Sequence, residues 1–214
     1  MRIIGLLNPL KFYILFTFII VAVNYNKGKK SDVILFYIFL LSFTNELLSL
    51  IFRYFTIPLF LSGTIYVVTN NLLWLLILYQ ISVLKRAIIG GIILFILFAI
   101  YNFFFIEGLY LFNSNSFVFG SMLYVILFIF DSFYELKKEN LSYFLSNNYI
   151  LLFSPVMFFI GFSLLFGFKN NEIDKIKCFN NLNLYECISY FSNIIYYTLI
   201  NIYIYRSKTH KHVT

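Results

Sequence analysis

The chain has 214 residues, of which 61% are hydrophobic and only 12% are charged. A soluble domain is ordinarily about 45–50% apolar and about 25% charged, so this composition excludes an ordinary water-soluble globule and indicates a lipid environment. The net charge of +7 favours anionic lipid headgroups, and no stretch between the apolar runs is long enough for a nucleic-acid-binding domain. We therefore expect the lipid bilayer, and no nucleic acid, as a partner.

Charged clusters separate apolar runs that are long enough, at about 20 residues each, to cross a bilayer. Seven such runs predict an all-α polytopic bundle of seven transmembrane helices, forming a single domain over residues 1–214. The predicted spans are about 4–24, 33–52, 58–83, 87–106, 117–136, 148–168 and 186–205. The first run follows Arg2 as a signal peptide would, but Lys11 interrupts it and no small-residue cleavage site follows. We expect this run to be retained.

The distribution of basic residues predicts the orientation of the bundle through the positive-inside rule. With the amino terminus outside, 10 of the 16 Lys and Arg residues lie on the inner side of the membrane and six on the outer side. This bias predicts an outside amino terminus and an inside carboxy terminus.

The two cysteines, Cys178 and Cys187, both lie in the hydrophilic segment between the sixth and seventh runs. The predicted orientation puts this segment outside, where disulfides persist. Cys178 and Cys187 are therefore candidates for a disulfide that closes a small ring. The alternative is a pair of free thiols that are close only by chance.

The third and seventh runs share a short pattern. Asn71-Leu72-Leu73-Trp74 aligns with Asn193-Ile194-Ile195-Tyr196, and basic residues follow about 14 positions later in both runs. Both runs cross in the same direction, so runs one to three and five to seven would form parallel triplets joined by run four. Such a 3+1+3 repeat has a pseudo-twofold axis along the membrane normal. We expect the two asparagines to meet across the bundle centre.

Amides inside the apolar runs are the first candidate functional groups. An unpaired amide in lipid costs about 1–3 kcal/mol, so Asn70, Asn71 and Asn193 should face the bundle interior. They would either bind a ligand or serve as hydrogen-bonding contacts between helices. Gln80 and Asn201 lie nearer the inner side at similar depths, and we expect them to extend the same polar seam.

Ionisable residues and a proline complete the candidate set. Glu46 precedes Arg53 by about two helical turns, and Arg53 is its expected partner. Glu46 would either help to bind a polar ligand in an outer vestibule or lie at the membrane interface. Asp131 and Glu135 share one helix face, where we expect a solvated interface near basic side chains, with acid–base chemistry as the alternative. Pro155 should kink its helix and free a carbonyl that neighbouring groups must bond.

Motifs for catalysis, metal binding and cofactor binding are missing from the sequence. His210 and His212 are the only histidines, and both lie in the carboxy-terminal tail. The sequence contains no P-loop, no zinc-type Cys/His cluster and no Ser-His-Asp set. We therefore predict no catalytic residues, no metal and no cofactor, and an enzyme is not favoured.

Several short features resemble small seven-helix bacterial membrane proteins of unassigned function and the membrane modules of some sensor kinases. These features are Glu46 in the second run, Asn71 with Tyr79 in the third, residues 133–137 closing the fifth, and residues 155–159 opening the sixth. The resemblance implies a multi-pass protein of the bacterial cytoplasmic (inner) membrane.

The three-one-three layout is also similar to that of SWEET-type sugar transporters and PnuC-like vitamin transporters. In the SWEET family, asparagines on the third and seventh helices line the solute site, which implies Asn71 and Asn193 here. We expect a protein that senses a small molecule or lipid and signals to a protein partner through its cytoplasmic loops. The alternatives are a transporter of a small polar solute through the seam and a structural membrane subunit of a complex.

Overall fold

The computed structural model describes residues 9–55, 60–108, 111–168, 176–179 and 182–209, and these are almost entirely helical. Since lipid offers a backbone no water to bond, a spanning segment takes the helical form, in which N–H and C=O groups pair internally. The helices are α1 (Pro9–Asn24), α2 (Lys30–Tyr54), α3 (Phe60–Ile81), α4 (Lys85–Tyr101), α5 (Ser114–Lys137), α6 (Leu141–Leu145), α7 (Asn147–Gly167) and α8 (Leu184–Thr209).

Six of the described helices are long and apolar enough to cross a membrane: α2, α3, α4 with its continuation to Ile106, α5, α7 and α8. Helix α1 is also apolar but has only 16 residues in the described part, and residues 4–8 of the first predicted span lie outside that part. The all-α architecture is therefore confirmed, whereas the count of seven spans stays a prediction.

Large apolar side chains cover the outside of the bundle. On α4, for example, Ile93, Leu97 and Ile100 are each more than half exposed. Apolar surface on this scale is unfavourable in water and marks a face that lipid or a partner covers. Combined with the six long apolar helices, it indicates an integral membrane protein in contact with the bilayer.

The helices pack in a closed ring. Helix α1 packs on α2, α2 on α3, α3 on α5, α5 on α7, α7 on α8, and α8 on α1. Helix α4 packs against α3 and α5. Buried aromatic rings fill the centre, where Trp74 of α3 lies 6.3 Å from Tyr124 of α5 and 6.0 Å from Tyr196 of α8, measured between ring centroids.

Pro155 lies inside α7 and lacks the N–H that would bond the carbonyl of Leu151, four residues earlier. The neighbouring Ser154 Oγ donates to that carbonyl at 2.8 Å. One residue further, Tyr124 OH of α5 donates to the Leu152 carbonyl at 2.8 Å. The expectation that nearby groups bond the freed carbonyl is confirmed, and the tyrosine also joins α5 to α7.

Three features were not expected from the sequence. Helix α4 continues as a π-helical turn over Asn102–Ile106, and the short α6 separates α5 from α7. Strands β1 (Lys177–Phe179) and β2 (Leu182–Asn183) form an antiparallel hairpin before α8. We call the end of the bundle where α1, α3, α5 and α8 begin the hairpin end, and the opposite end the α6 end.

Candidate functional site

A cavity of about 260 Å³ lies at the hairpin end, between α1, α2, α3, α7 and α8. Its polar lining includes Lys11, Glu46, the amides of Asn45 and Asn193, and the hydroxyls of Ser42 and Tyr66. Its apolar lining includes Ile14, Phe158 and Phe162. Unlike the largely apolar groove of about 480 Å³ between α3 and α4 and the groove of about 720 Å³ beside Glu107, this cavity is lined by side chains of both charges. It is therefore the better candidate for a polar ligand.

An ion pair forms part of the cavity wall. Lys11 Nζ of α1 lies 3.2 Å from Glu46 Oε2 of α2. The two side chains are 20% and 34% exposed, so both charges remain within reach of a solute. The structure thus gives Glu46 a partner that the sequence pattern did not indicate. The side chain of the expected partner, Arg53, lies outside the described residues, and that pairing stays a prediction.

Two further polar groups of the cavity are held in place by local hydrogen bonds. Ser42 Oγ donates to the Ile38 carbonyl at 2.9 Å and lies 3.3 Å from Tyr66 OH. Asn193 Nδ2 donates to the Ser189 carbonyl one turn earlier on α8, at 2.8 Å. These bonds fix the orientation of the hydroxyl and the amide before a solute arrives, which lowers the entropy cost of binding.

Asn70 and Asn71 are buried in α3, but neither lines the cavity. Asn71 Nδ2 donates to the Val67 carbonyl at 3.1 Å, and its Oδ1 has no hydrogen-bond partner in the described part of the chain. Asn71 lies against Gly120 of α5, where an added Cβ would be 3.0 Å from the Asn71 Cγ. Asn71 and Asn193 therefore have different hydrogen-bond partners, and no hydrogen bond joins them in the described part of the chain.

The remaining members of the expected seam are also apart. Gln80 is exposed on α3. Asn201 is half-buried, and its Nδ2 donates to Thr17 Oγ1 of α1 at 3.3 Å. Among the described residues, the polar groups predicted to form one seam thus occupy separate places rather than a continuous path.

A hydrogen-bond network joins the helices at the α6 end. Lys29 Nζ donates to Asn148 Oδ1 of α7 and to Tyr203 OH of α8, both at 3.0 Å. Tyr203 OH in turn donates to the buried Asp32, which lies 3.9 Å from Lys29 Nζ. Asn147 Nδ2 donates to the Tyr203 carbonyl at 3.0 Å. Asp32 falls between the first two predicted spans, so the sequence did not indicate this network, although an acidic residue there fits the first turn of a helix.

The two carboxylates near the end of α5 are buried. Asp131 accepts hydrogen bonds from Ser82 Oγ and, at 2.8 Å, from Tyr143 OH. Glu135 accepts from Asn140 Nδ2 at 2.6 Å. The expectation of a solvated interface is therefore wrong: the turns after α3 and α5 fold over both groups and supply hydroxyl and amide donors.

The phenol of Tyr143, on α6, is strongly affected by this environment. Burial, followed by the hydrogen bond to Asp131 and the negative charges of Asp131 and Glu135, raises the pKa of Tyr143 well above its ordinary value. Tyr143 therefore stays protonated at any physiological pH and remains a donor to Asp131. The arrangement fixes a carboxylate in place, and the described residues contain no group of three or more His, Cys, Asp or Glu side chains placed to hold a metal ion.

Cys178 lies on β1, and Cys187 lies in the first turn of α8. Both are free thiols in the structure, and they are close enough to form a hydrogen bond with each other. The hairpin thus brings the two cysteines together, and a disulfide between them stays a prediction.

No known protein family, no curated protein and no solved structure matches this chain. The resemblance to seven-helix bacterial proteins therefore remains an expectation from short motifs. What can be said of function rests on the residues and geometry of the chain itself.

Proposed function

We propose that this integral membrane protein transports a small polar solute, which it binds in the cavity at the hairpin end. One observation carries the proposal: the two ends of the bundle differ. The hairpin end holds a cavity with a partly exposed ion pair, whereas the α6 end is joined by the Lys29–Asp32–Tyr203 network. A carrier must hold its site open to one side while the other side is closed, and this arrangement fits one such state.

Helix α8 connects the two ends. Its first half lines the cavity through Ser189, Asn193 and Tyr197, and Tyr203 lies two turns further on, in the network at the α6 end. A solute that moves the start of α8 would therefore strain the bonds of Tyr203. Those bonds join side chains and can break and reform, as a gate requires.

Helix packing supports the proposed repeat. An exchange of α1, α2 and α3 with α5, α7 and α8 turns the α1–α2 contact into α5–α7, α2–α3 into α7–α8, and α3–α5 into α8–α1, and all six of these pairs pack. We propose a pseudo-twofold 3+1+3 arrangement in which α4 is the linker and the hairpin end faces outside. Rocking of one triplet against the other would then open the cavity to either side.

Sensing is the second candidate function, and the same α8 coupling favours it. A protein partner bound at the α6 end could detect a shift of Tyr203 without any solute crossing the membrane. The cavity and network are common to both functions, so only a measurement of flux separates them.

Counterflow in proteoliposomes containing the full chain tests the proposal. Separate vesicle batches would be loaded with leucine, glucose, ribose or glycerol, and uptake of the same radiolabelled solute would be followed. We expect one solute class to exchange, and we expect Asn193→Ala to slow that exchange because it removes a cavity amide. Gln80→Ala is the matched control, since its amide lies outside the cavity.

The outcomes separate the candidates. Saturable binding of a solute with no counterflow would replace transport by sensing. Equal flux through wild type and Asn193→Ala, or flux lost equally in Gln80→Ala, would overturn the assignment of the cavity as the transport site.

A further inference from the structure

We infer that the solute is a zwitterion of the α-amino-acid type with a medium-sized apolar side chain, held by Lys11 and Glu46. The inference rests on the proposed function, because it assigns a substrate class to the same cavity. It goes further in naming the two charges that would recognise the solute and the wall that would hold its side chain.

The charge of the cavity favours a solute without net charge. Lys11 and Glu46 are the charged side chains among the described residues that line it, and together they are neutral. A solute with one net charge would enter a partly desolvated site without an opposite charge to balance it, which is costly. The choice is therefore between an uncharged polar molecule and a zwitterion.

The ion pair itself favours the zwitterion. An ammonium group has three N–H donors and a carboxylate has about four acceptor positions, so a single contact of 3.2 Å leaves both groups able to bind more. A solute carboxylate at Lys11 and a solute ammonium at Glu46 would alternate with the protein charges, so that each charge has an opposite neighbour. An uncharged solute would need only the amides and hydroxyls of the cavity. It would leave the remaining hydrogen-bonding capacity of Lys11 and Glu46 unused.

The apolar part of the cavity lining indicates the side chain of the solute. Ile14, Phe158 and Phe162 form an apolar part of the wall, which suits a hydrocarbon side chain. The volume of about 260 Å³ corresponds to about nine water molecules at about 30 Å³ each. A solute about the size of leucine fits this space.

Binding to the purified full-length protein tests the inference. Radiolabelled leucine would be competed with 4-methylpentanoate, which lacks the ammonium group, with 3-methylbutylamine, which lacks the carboxylate, and with glucose. A charge-assisted hydrogen bond accounts for about a tenfold change in affinity or more. We therefore expect leucine to bind at least about tenfold more tightly than each of the other three compounds.

Substitutions that remove or exchange the charges of Lys11 and Glu46 test whether these residues hold the solute. We expect Lys11→Met and Glu46→Gln each to weaken leucine binding by about tenfold or more. The double variant Lys11→Glu with Glu46→Lys, which restores the pair in the opposite sense, should recover part of the binding. Gln80→Ala again serves as the control outside the cavity.

The failure of this inference is distinct from the failure of the proposed function. If glucose, ribose or glycerol shows counterflow while leucine neither binds nor exchanges, the zwitterion assignment is overturned and transport stands. Leucine that binds no better than its two singly charged analogues, or binding that survives both single substitutions, would also overturn the assignment.

Discussion

The two ends of the bundle use polar groups in opposite ways. At the hairpin end, Lys11 and Glu46 form one contact and remain partly exposed beside a cavity. At the α6 end, Asp32 and Asp131 are 3% and 0% exposed, and each accepts from a tyrosine hydroxyl. The buried carboxylates have hydrogen-bonding capacity that is used within the protein and so contribute to the fold. The cavity pair retains capacity for a solute.

Filling the cavity should have the largest effect on binding and little effect on stability. In Asn193→Phe, an aromatic ring would occupy the cavity, so we expect leucine binding to become undetectable while the thermal unfolding midpoint in detergent stays close to that of wild type. The control is Ile194→Phe, one residue along α8, where the side chain is 51% exposed. Retained binding in Asn193→Phe would show that the cavity is not the site.

Removing the Asp131 carboxylate, the acceptor at the α6 end, should instead lower stability and have little effect on leucine binding. Asp131→Leu leaves the buried Ser82 hydroxyl and the Tyr143 hydroxyl without their common acceptor, so we expect it to lower the free energy of unfolding by about 1–3 kcal/mol. The fluorescence of Trp74, the single tryptophan of the chain, reports unfolding because this side chain is buried in the centre.

Asp131→Asn is the matched variant, because its side-chain oxygen can still accept from a hydroxyl. We expect it to lose less stability than Asp131→Leu. If the leucine variant is as stable as wild type, then Asp131 does not hold this end of the bundle together.

A smaller loss is expected when one hydroxyl is removed from the closing network. Tyr203→Phe deletes a hydroxyl that accepts a hydrogen bond from Lys29 and donates one to Asp32. We expect this loss to lower the free energy of unfolding by about 1 kcal/mol. In Tyr13→Phe the deleted hydroxyl lies 2.9 Å from Thr198 Oγ1 in an exposed contact, so the loss should be smaller. Equal losses in the two variants would mean that the network does not hold the α6 end closed more firmly than a surface contact would.

Apolar runs in a membrane protein predict where helices lie but not which face of each helix points inward. Every predicted span is helical over most of its described length, because length and composition decide that in lipid. Lipid-facing and buried helix faces are both apolar. The sequence therefore carried no periodic signal that would place Gln80 on the surface of the bundle and Asp131 in its interior. The Lys11–Glu46 pair joins two helices, and spacing along either helix could not have revealed it.

The repeat pattern pairs Asn71 with Asn193 but does not predict what surrounds each of them. Asn71 faces α5, and Asn193 faces a cavity that α1 also lines. Under the proposed exchange α5 corresponds to α1, so the proposal makes the two positions equivalent. Their surroundings differ because Gly120 allows a close approach to α3, with Phe95 also in contact, whereas α1 leaves space beside Asn193. Such space depends on side-chain packing between distant segments, which no short motif encodes.

The smallest effect is expected at Gln80, and it tests whether the polar groups are as separate as they are in this structure. The side chain is exposed one residue before the end of α3, so Gln80→Leu should change the free energy of unfolding by no more than about 0.5 kcal/mol and should leave leucine binding unchanged. Thermal unfolding and radioligand binding on the same preparation measure both quantities. If Gln80→Leu reduced counterflow as strongly as Asn193→Phe, the loss of flux would not be specific to the cavity, and the assignment of the cavity as the transport site would be overturned.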